Sequence, residues 1–342
     1  MNSKRKIIVF LLAIDFCLLI LAFLNLRLFS EKASLPTEYQ AMINNFSFDV
    51  KNIYRKKQVI EFDGKEINKN GQLEFYLLSH KAKDTVNVKS IGADSEITTP
   101  KVILVNTYEN YELAIMMVVT LFFFFTGVFI LIKYRNNSFS FIIHALSVCT
   151  GIMIIFDWGD LITYGRSLNF IIFLLFEISI YMVPALFLHL SFTYPVKTKS
   201  KNIFFLSAVY CAAITFIVIS CIQLVKIFFF NADINKLYYL NFHTTVADVF
   251  LVIVIILTIA KFEHSALSIN DVTHKKQIYW ALSGITFGPL IYVFLCLIPR
   301  ILMGYELVSM VFMQFTTIVA PIMLLISVTH NKNEYQRMMT KL

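Results

Sequence analysis

Asp15 and Glu177 stand inside long apolar runs, where an ionised carboxylate is costly unless a partner or water receives it. Tyr181 follows Glu177 by four residues, which puts both side chains on one face of a helix. Asp157, Asp160, Lys226, Asp248 and Arg300 fall near the ends of neighbouring apolar runs, all at the outer membrane surface by the topology argued from the loop charges. The candidate ligand-binding set is therefore Asp157, Asp160, Glu177, Tyr181, Lys226, Asp248 and Arg300, an outward vestibule carrying both signs of charge. The same residues admit two other readings. One is interhelical pairing, for instance Lys226 with Asp248 or Glu177, and the other is proton or ion translocation.

Catalytic chemistry has less to stand on. The sequence holds no P-loop, no G-x-S-x-G and no H-E-x-x-H, and no His, Cys or carboxylate spacing suits a metal. The expectation is no catalytic residue, no metal and no cofactor in this chain. Cys17, Cys149, Cys211, Cys221 and Cys296 all lie in apolar runs and read as small packing residues without a disulfide framework. His144 and His189, near cytoplasmic span ends, read as interface residues, and His330 lacks the surroundings of a phosphoacceptor.

The elements that position these residues follow from composition. A mean hydropathy of +0.70 with 15% charged residues is foreign to soluble globular domains. Eight apolar runs, at about 7–28, 113–132, 139–156, 169–193, 203–227, 245–261, 277–298 and 306–328, have the length a membrane crossing needs. Without water at that depth each must satisfy its own backbone, so each is expected to be a helix. Lys4, Arg5 and Lys6 precede the first run, which is long and lacks a clear cleavage site, as in an uncleaved anchor. Loops expected inside, with both termini, hold 14 Lys and Arg, whereas the short outer loops hold only Arg166, Lys236 and Arg300. That asymmetry predicts cytoplasmic N- and C-termini in a multi-pass cell-membrane protein. It also accounts for the net charge of +8 without nucleic acid.

The predicted organisation is an anchor helix at 1–28, an extracytoplasmic module at 29–112, a seven-helix membrane block at 113–328 and a cytoplasmic tail at 329–342. The module carries 11 basic and 12 acidic residues. Within it, residues 59–62 alternate like a strand before an Asp63-Gly64 turn. Leu73, Tyr76 and Leu77 share a helical face, while 86–88 and 100–105 read as further strands. The stretch VIEFDGKEINKNGQLEFYLLSHKAKDTVNVKSI, with KVILVN after it, resembles the second half of a PDZ domain. The Gly-rich carboxylate-binding loop of that family has no counterpart in residues 29–58, so its peptide-binding mode is not carried over. A reduced PDZ-like α+β module on an all-α polytopic bundle is the expected fold.

In the membrane block, PALFLHLSFTYP (184–195) and KKQIYWALSGITFGPLIYVFLCLIP (275–299) are similar to the sensor half of bacterial histidine kinases of the competence-pheromone, ComP-like type. The resemblance implies a two-component, quorum-sensing receptor for an extracellular peptide or amphipathic ligand. Its expected partners are the lipid bilayer, a cytoplasmic histidine kinase or response regulator, and a second copy in a homodimer. After the last span only THNKNEYQRMMTKL follows, so a kinase region would lie outside this chain. Pro184, Gly284, Gly288, Pro289 and Pro321 are the candidate hinges for signal transmission, since prolines kink helices and Gly284 and Gly288 are spaced for close helix approach. A transporter or immunity-type protein acting through Asp15, Glu177 and Asp248 is the competing expectation.

Overall fold

The computed structural model describes residues 3–36, 39–40, 57–67, 72–77, 80–92, 95–156, 166–195, 203–230, 237–303, 307–308 and 310–339. Helix α1 (Ser3–Phe29) leads into a small α+β module. Its elements are β1 (Ala33–Ser34), β2 (Tyr39–Gln40), β3 (Lys57–Phe62), β4 (Lys65–Glu66), α2 (Gln72–Leu77), β5 (Thr85–Ile91), β6 (Ile97–Thr98), β7 (Lys101–Ile103) and β8 (Val105–Asn106). The larger sheet runs β2-β3-β5-β6, with β4 on β3 and β7 on β5, while β1 and β8 form a separate pair. Val59, Phe62, Leu73, Leu77, Val86 and Val88 close its core.

The β3–β4 hairpin shows why the turn residues matter. Phe62 faces Lys65 across a two-residue loop, and Asp63 (φ 49°) and Gly64 (φ 78°) both take the left-handed backbone that a type I′ turn demands. The strand expected at 100–105 divides, because Leu104 turns into the core between β7 and β8 and its N–H donates to the Asp84 carbonyl. Both sheets are small, and most of their strands have only two or three residues.

The module is tied to the membrane helices at its root. Strands β1 and β8, which leave α1 and approach α3 (Asn110–Lys133), pair Ala33 with Asn106 and Ser34 with Val105. Phe29 packs on Tyr108 with ring centroids 5.3 Å apart, and the Lys32 ammonium lies 5.9 Å and 5.7 Å from the two rings. Lys81 bonds Glu31 at 2.7 Å, and this hydrogen bond and the attached charge hold the Glu31 carboxyl below its ordinary 4.5.

The remaining helices are α4 (Ser138–Ile155), α5 (Arg166–Thr193), α6 (Ile203–Phe229), α7 (Leu237–Ser268), α8 (Val272–Ile285), α9 (Ile298–Met303), α10 (Met310–Thr317) and α11 (Val319–Met339). Among the described residues, seven helical stretches are long and apolar enough to cross a membrane: Arg5–Arg27, Asn110–Lys133, Ser138–Ile155, Phe170–Thr193, Phe204–Phe229, Thr245–Ser268 and Val272–Leu297. The chain is thus a multi-pass helical membrane protein. The eighth expected crossing, over 306–328, lies partly outside the described residues; within them Met313–Thr329 is a shorter apolar helical stretch with a single turn residue, Ile318, between α10 and α11. Pro321 supplies the reason, since it has no N–H for the Thr317 carbonyl and its ring crowds that turn.

The other prolines behave differently. Pro289 lies in a widened π turn, Thr286–Leu290, followed by a second at Val293–Leu297, so the seventh crossing is locally underwound rather than broken. Pro184, expected as a kink, sits within an α5 that runs uninterrupted from Arg166 to Thr193. Close approach depends on glycine at two seams. A Cβ on Gly127 of α3 would stand 2.9 Å from the Ser147 Cβ of α4, and one on Gly284 of α8 would stand 2.9 Å from the Met323 Cβ of α11. Gly288 looks on to Ala320 of the same partner.

Candidate functional site

Helix α5 is the most enclosed of the crossings, and it carries Glu177 (2% exposed) and Tyr181 (0% exposed) on its inner face. Both approach the Ser220 hydroxyl of α6, which lacks a well-formed hydrogen bond of its own. Asp248 of α7, 4% exposed, acts on Tyr181 from the other side. An aromatic chain locks this layer: Tyr181 lies 5.3 Å from Phe216, which meets Phe250 edge-on at 5.7 Å. Eleven residues separate Asp248 from the start of α7, about 16 Å at 1.5 Å per residue, so the cluster sits well below the module end of the bundle.

A cavity of about 60 Å³ opens beside it, with room for several waters or a small organic group. Phe123, Phe176, Ile180 and Phe187 give it an apolar wall, Asp248 reaches it from α7, and Pro289 and Tyr292 from the π-turn segment after α8 close it with Gln314 and Thr317 of α10. The cavity lies where the chain is least regular. The π turns around Pro289 follow directly on α8, and the turn at Ile318 separates α10 from α11. Thr150 and Thr317 also line it, but their hydroxyls donate to Leu146 O at 2.8 Å and Gln314 O at 2.6 Å within their own helices. The Gln314 Oε1 is buried and has no hydrogen-bond partner.

Of the residues expected to form a vestibule, the structure brings together Glu177, Tyr181 and Asp248. Lys226 is exposed on α6, and among the described residues no ion pair joins it to Asp248 or Glu177, so the pairing expected for it is corrected. Six residues, nearly two turns, separate Lys226 from Ser220, too far along α6 to share its contacts. Asp157 and Asp160 lie outside the described residues, as does the side chain of Arg300.

Other buried polar groups tie helices together. The Asp15 Oδ2 lies 3.6 Å from His144 Nε2, with both residues 4% exposed, an ion-pair distance longer than a hydrogen bond. His144 is therefore an interior residue against α1 and not the interface residue expected. Asn25 donates to the Ile155 carbonyl at 2.6 Å, capping the end of α4. His189 Nδ1 and the Tyr210 hydroxyl are 2.9 Å apart. At the opposite end from the module, the Ser327 hydroxyl donates to Gln277 O at 2.6 Å and meets the Tyr194 hydroxyl at 2.7 Å, while Gln277 Nε2 returns a bond to Ser327 O.

Sequence reasoning passed over Gln314, although an amide within an apolar run is the same kind of signal as Asp15. It could not single out Phe123, Ile180 or Tyr292, which resemble many other apolar residues in the chain. Among the described residues no group of three or more His, Cys, Asp and Glu is placed to hold a metal ion. No protein family, curated protein or solved structure matches this chain.

Proposed function

We propose that the chain is a multi-pass sensor that detects an extracellular peptide or amphipathic ligand and passes the signal to a cytoplasmic kinase region or partner. In this reading the α+β module, a reduced PDZ-like unit, faces outward, and both termini face the cytoplasm of a cell-membrane protein. The observation that carries it is the root of the module. The β1–β8 pair and the Lys32–Phe29–Tyr108 stack join the module at once to α1 and α3, so a ligand that shifts the module shifts both helices. In this reading the π turns after α8 and the turn between α10 and α11 are where the bundle would shift from one packing to another, and α11, which runs on past the span, would carry the change to a partner. The resemblance to ComP-like sensor kinases adds a kinase as the natural partner and a homodimer as the assembly.

The test needs no known ligand. Gly64→Cys in intact cells should react with a membrane-impermeant maleimide. A chimera joining α11 to a histidine-kinase catalytic region should change its autophosphorylation when Ser34→Cys and Val105→Cys are oxidised to a disulfide across β1 and β8, register partners within bridging distance. Labelling of residue 64 only after lysis, or kinase output indifferent to the cross-link, would remove the sensor reading.

A second reading draws on a separate observation. Interrupted helices meet beside Asp248, an arrangement that transporters use for midplane sites. Proton-driven uptake into liposomes that disappears in Glu177→Gln would favour transport, and uptake unaffected by that change would not.

A further inference from the structure

We propose that the cavity enclosed by α3, α4, α5, α7 and α10 is a binding site for a small, uncharged, apolar molecule of a few non-hydrogen atoms, the kind of compound that dissolves in a bilayer. The surface it presents to a guest is largely carbon, from Phe123, Phe176, Ile180, Phe187 and Leu251 among others. The polar residues on its wall are already engaged. The Thr150 and Thr317 hydroxyls donate to carbonyls of their own helices, and Asp248 and Tyr292 each have an interaction partner. Only the Gln314 Oε1 lacks a hydrogen-bond partner, and that atom is itself buried. An ammonium or a carboxylate entering here would give up its hydration for too few contacts in return. A hydrocarbon gives up nothing.

The gain on entry is contact. Lipid tails are as apolar as this wall, so removal from water does not by itself favour the cavity over the bilayer. Side chains that face empty space lack dispersion partners on that side, and a close-packed interior is penalised in proportion to the void it keeps. A guest that fills the space restores those contacts. The volume of about 60 Å³ sets the size limit. It is well below the roughly 150 Å³ of an apolar cavity that takes up a benzene ring, so a compact branched guest fits and a ring does not. Such a site is separate from the extracytoplasmic module, and its occupancy is measurable whether or not the chain signals.

The experiment uses the full chain in lipid nanodiscs, with empty nanodiscs as the blank and hyperpolarised xenon as the NMR reporter. Xenon should give a saturable bound signal that the blank lacks. Isobutane, isopropanol and isopropylammonium share one branched shape and differ in a single group, so they serve as competitors. Isobutane should displace xenon at a free aqueous concentration about tenfold below that of isopropanol, and isopropylammonium should not displace it. Val183→Phe, which places a ring on the wall, should abolish the xenon signal, whereas Leu251→Ala should enlarge the space and admit benzene. The two variants act in opposite directions, and the wild-type competition stands even if either fails to fold. Displacement by isopropylammonium as effective as by isobutane would overturn the uncharged class. Benzene binding to wild type as tightly as to Leu251→Ala would overturn the size limit. A xenon signal unchanged in Val183→Phe, or no saturable signal in wild type, would overturn the cavity as a site.

Discussion

Two glycine-lined seams run through the bundle, and they have opposite consequences. At α3–α4, Gly127 lets continuous helices pack so closely that Ser147 and His144 fill the space a side chain would need. At α8–α11, Gly284 does the same against Met323 and Ala320, yet both helices lose their regularity a turn or so away. Close approach is common to both seams, so it does not cause the interruption. Proline does: Pro289 and Pro321 each remove a backbone donor beside the second seam, and the first has none. A bundle can thus be rigid on one side and leave a cavity on the other with the same small-residue contact.

The comparison can be broken most forcefully at the glycines. Gly284→Ala and Gly127→Ala should each destabilise by roughly 1–3 kcal/mol through overpacking, read as a lower thermal midpoint in detergent, because backbone and Cβ atoms stand in the way and cannot give. Equal stability of Gly284→Ala and wild type would show that the second seam is loose throughout. Gly288 is the internal control. A Cβ there would make only ordinary contacts at 3.4–3.5 Å, so Gly288→Ala should stay within about 0.5 kcal/mol of wild type.

The polar end of the second seam comes next. Ser327→Ala strips hydrogen bonds from the Tyr194 hydroxyl and the Gln277 carbonyl, both buried, and should cost about 1–2 kcal/mol. Adding Tyr194→Phe should then cost less than it does alone, a coupling that a double-mutant cycle measures directly. Additive costs would mean the three groups do not act as a network.

The smallest effect is expected at the start of α8. Asp271 caps that helix, accepting from the Thr273 and His274 N–H groups, and these bonds hold its carboxyl below its ordinary 3.8. A lowered carboxyl stabilises the fold above its unfolded pKa, and the stabilisation fades as pH falls through the lower folded value. Asp271→Asn, still able to cap, should keep most of the stability at pH 7 and lose this acid-side dependence, as a series of melts between pH 2 and pH 6 would reveal. Identical acid profiles for the two proteins would assign the dependence to other carboxyls.

Much of this was legible in the residues, for particular reasons. The Asp63-Gly64 turn could be read because almost no other pair tolerates two left-handed residues in succession. Gly284 and Gly288 could be read as a packing face because the spacing itself places them on one side of a helix. The division of the last crossing could not. The apolar run through Ile318 is unbroken in sequence, and Pro321 is compatible with either a kink, as around Pro289, or no interruption at all, as at Pro184 in α5. Neighbouring helices decide which, because they determine whether a freed carbonyl can be satisfied.

By itself the sequence determined that this chain lives in a membrane and where most of its crossings lie, because the cost of exposing backbone and charge to hydrocarbon depends on residue type and run length alone. Only the tertiary structure decided which polar residues meet. Glu177, Tyr181 and Asp248 come from two distant segments, His144 faces Asp15 across 129 positions of chain, and the Gln314 Oε1 is buried without a hydrogen-bond partner in a residue that lines a cavity between helices. Those are facts about neighbours in space, and no local pattern encodes them.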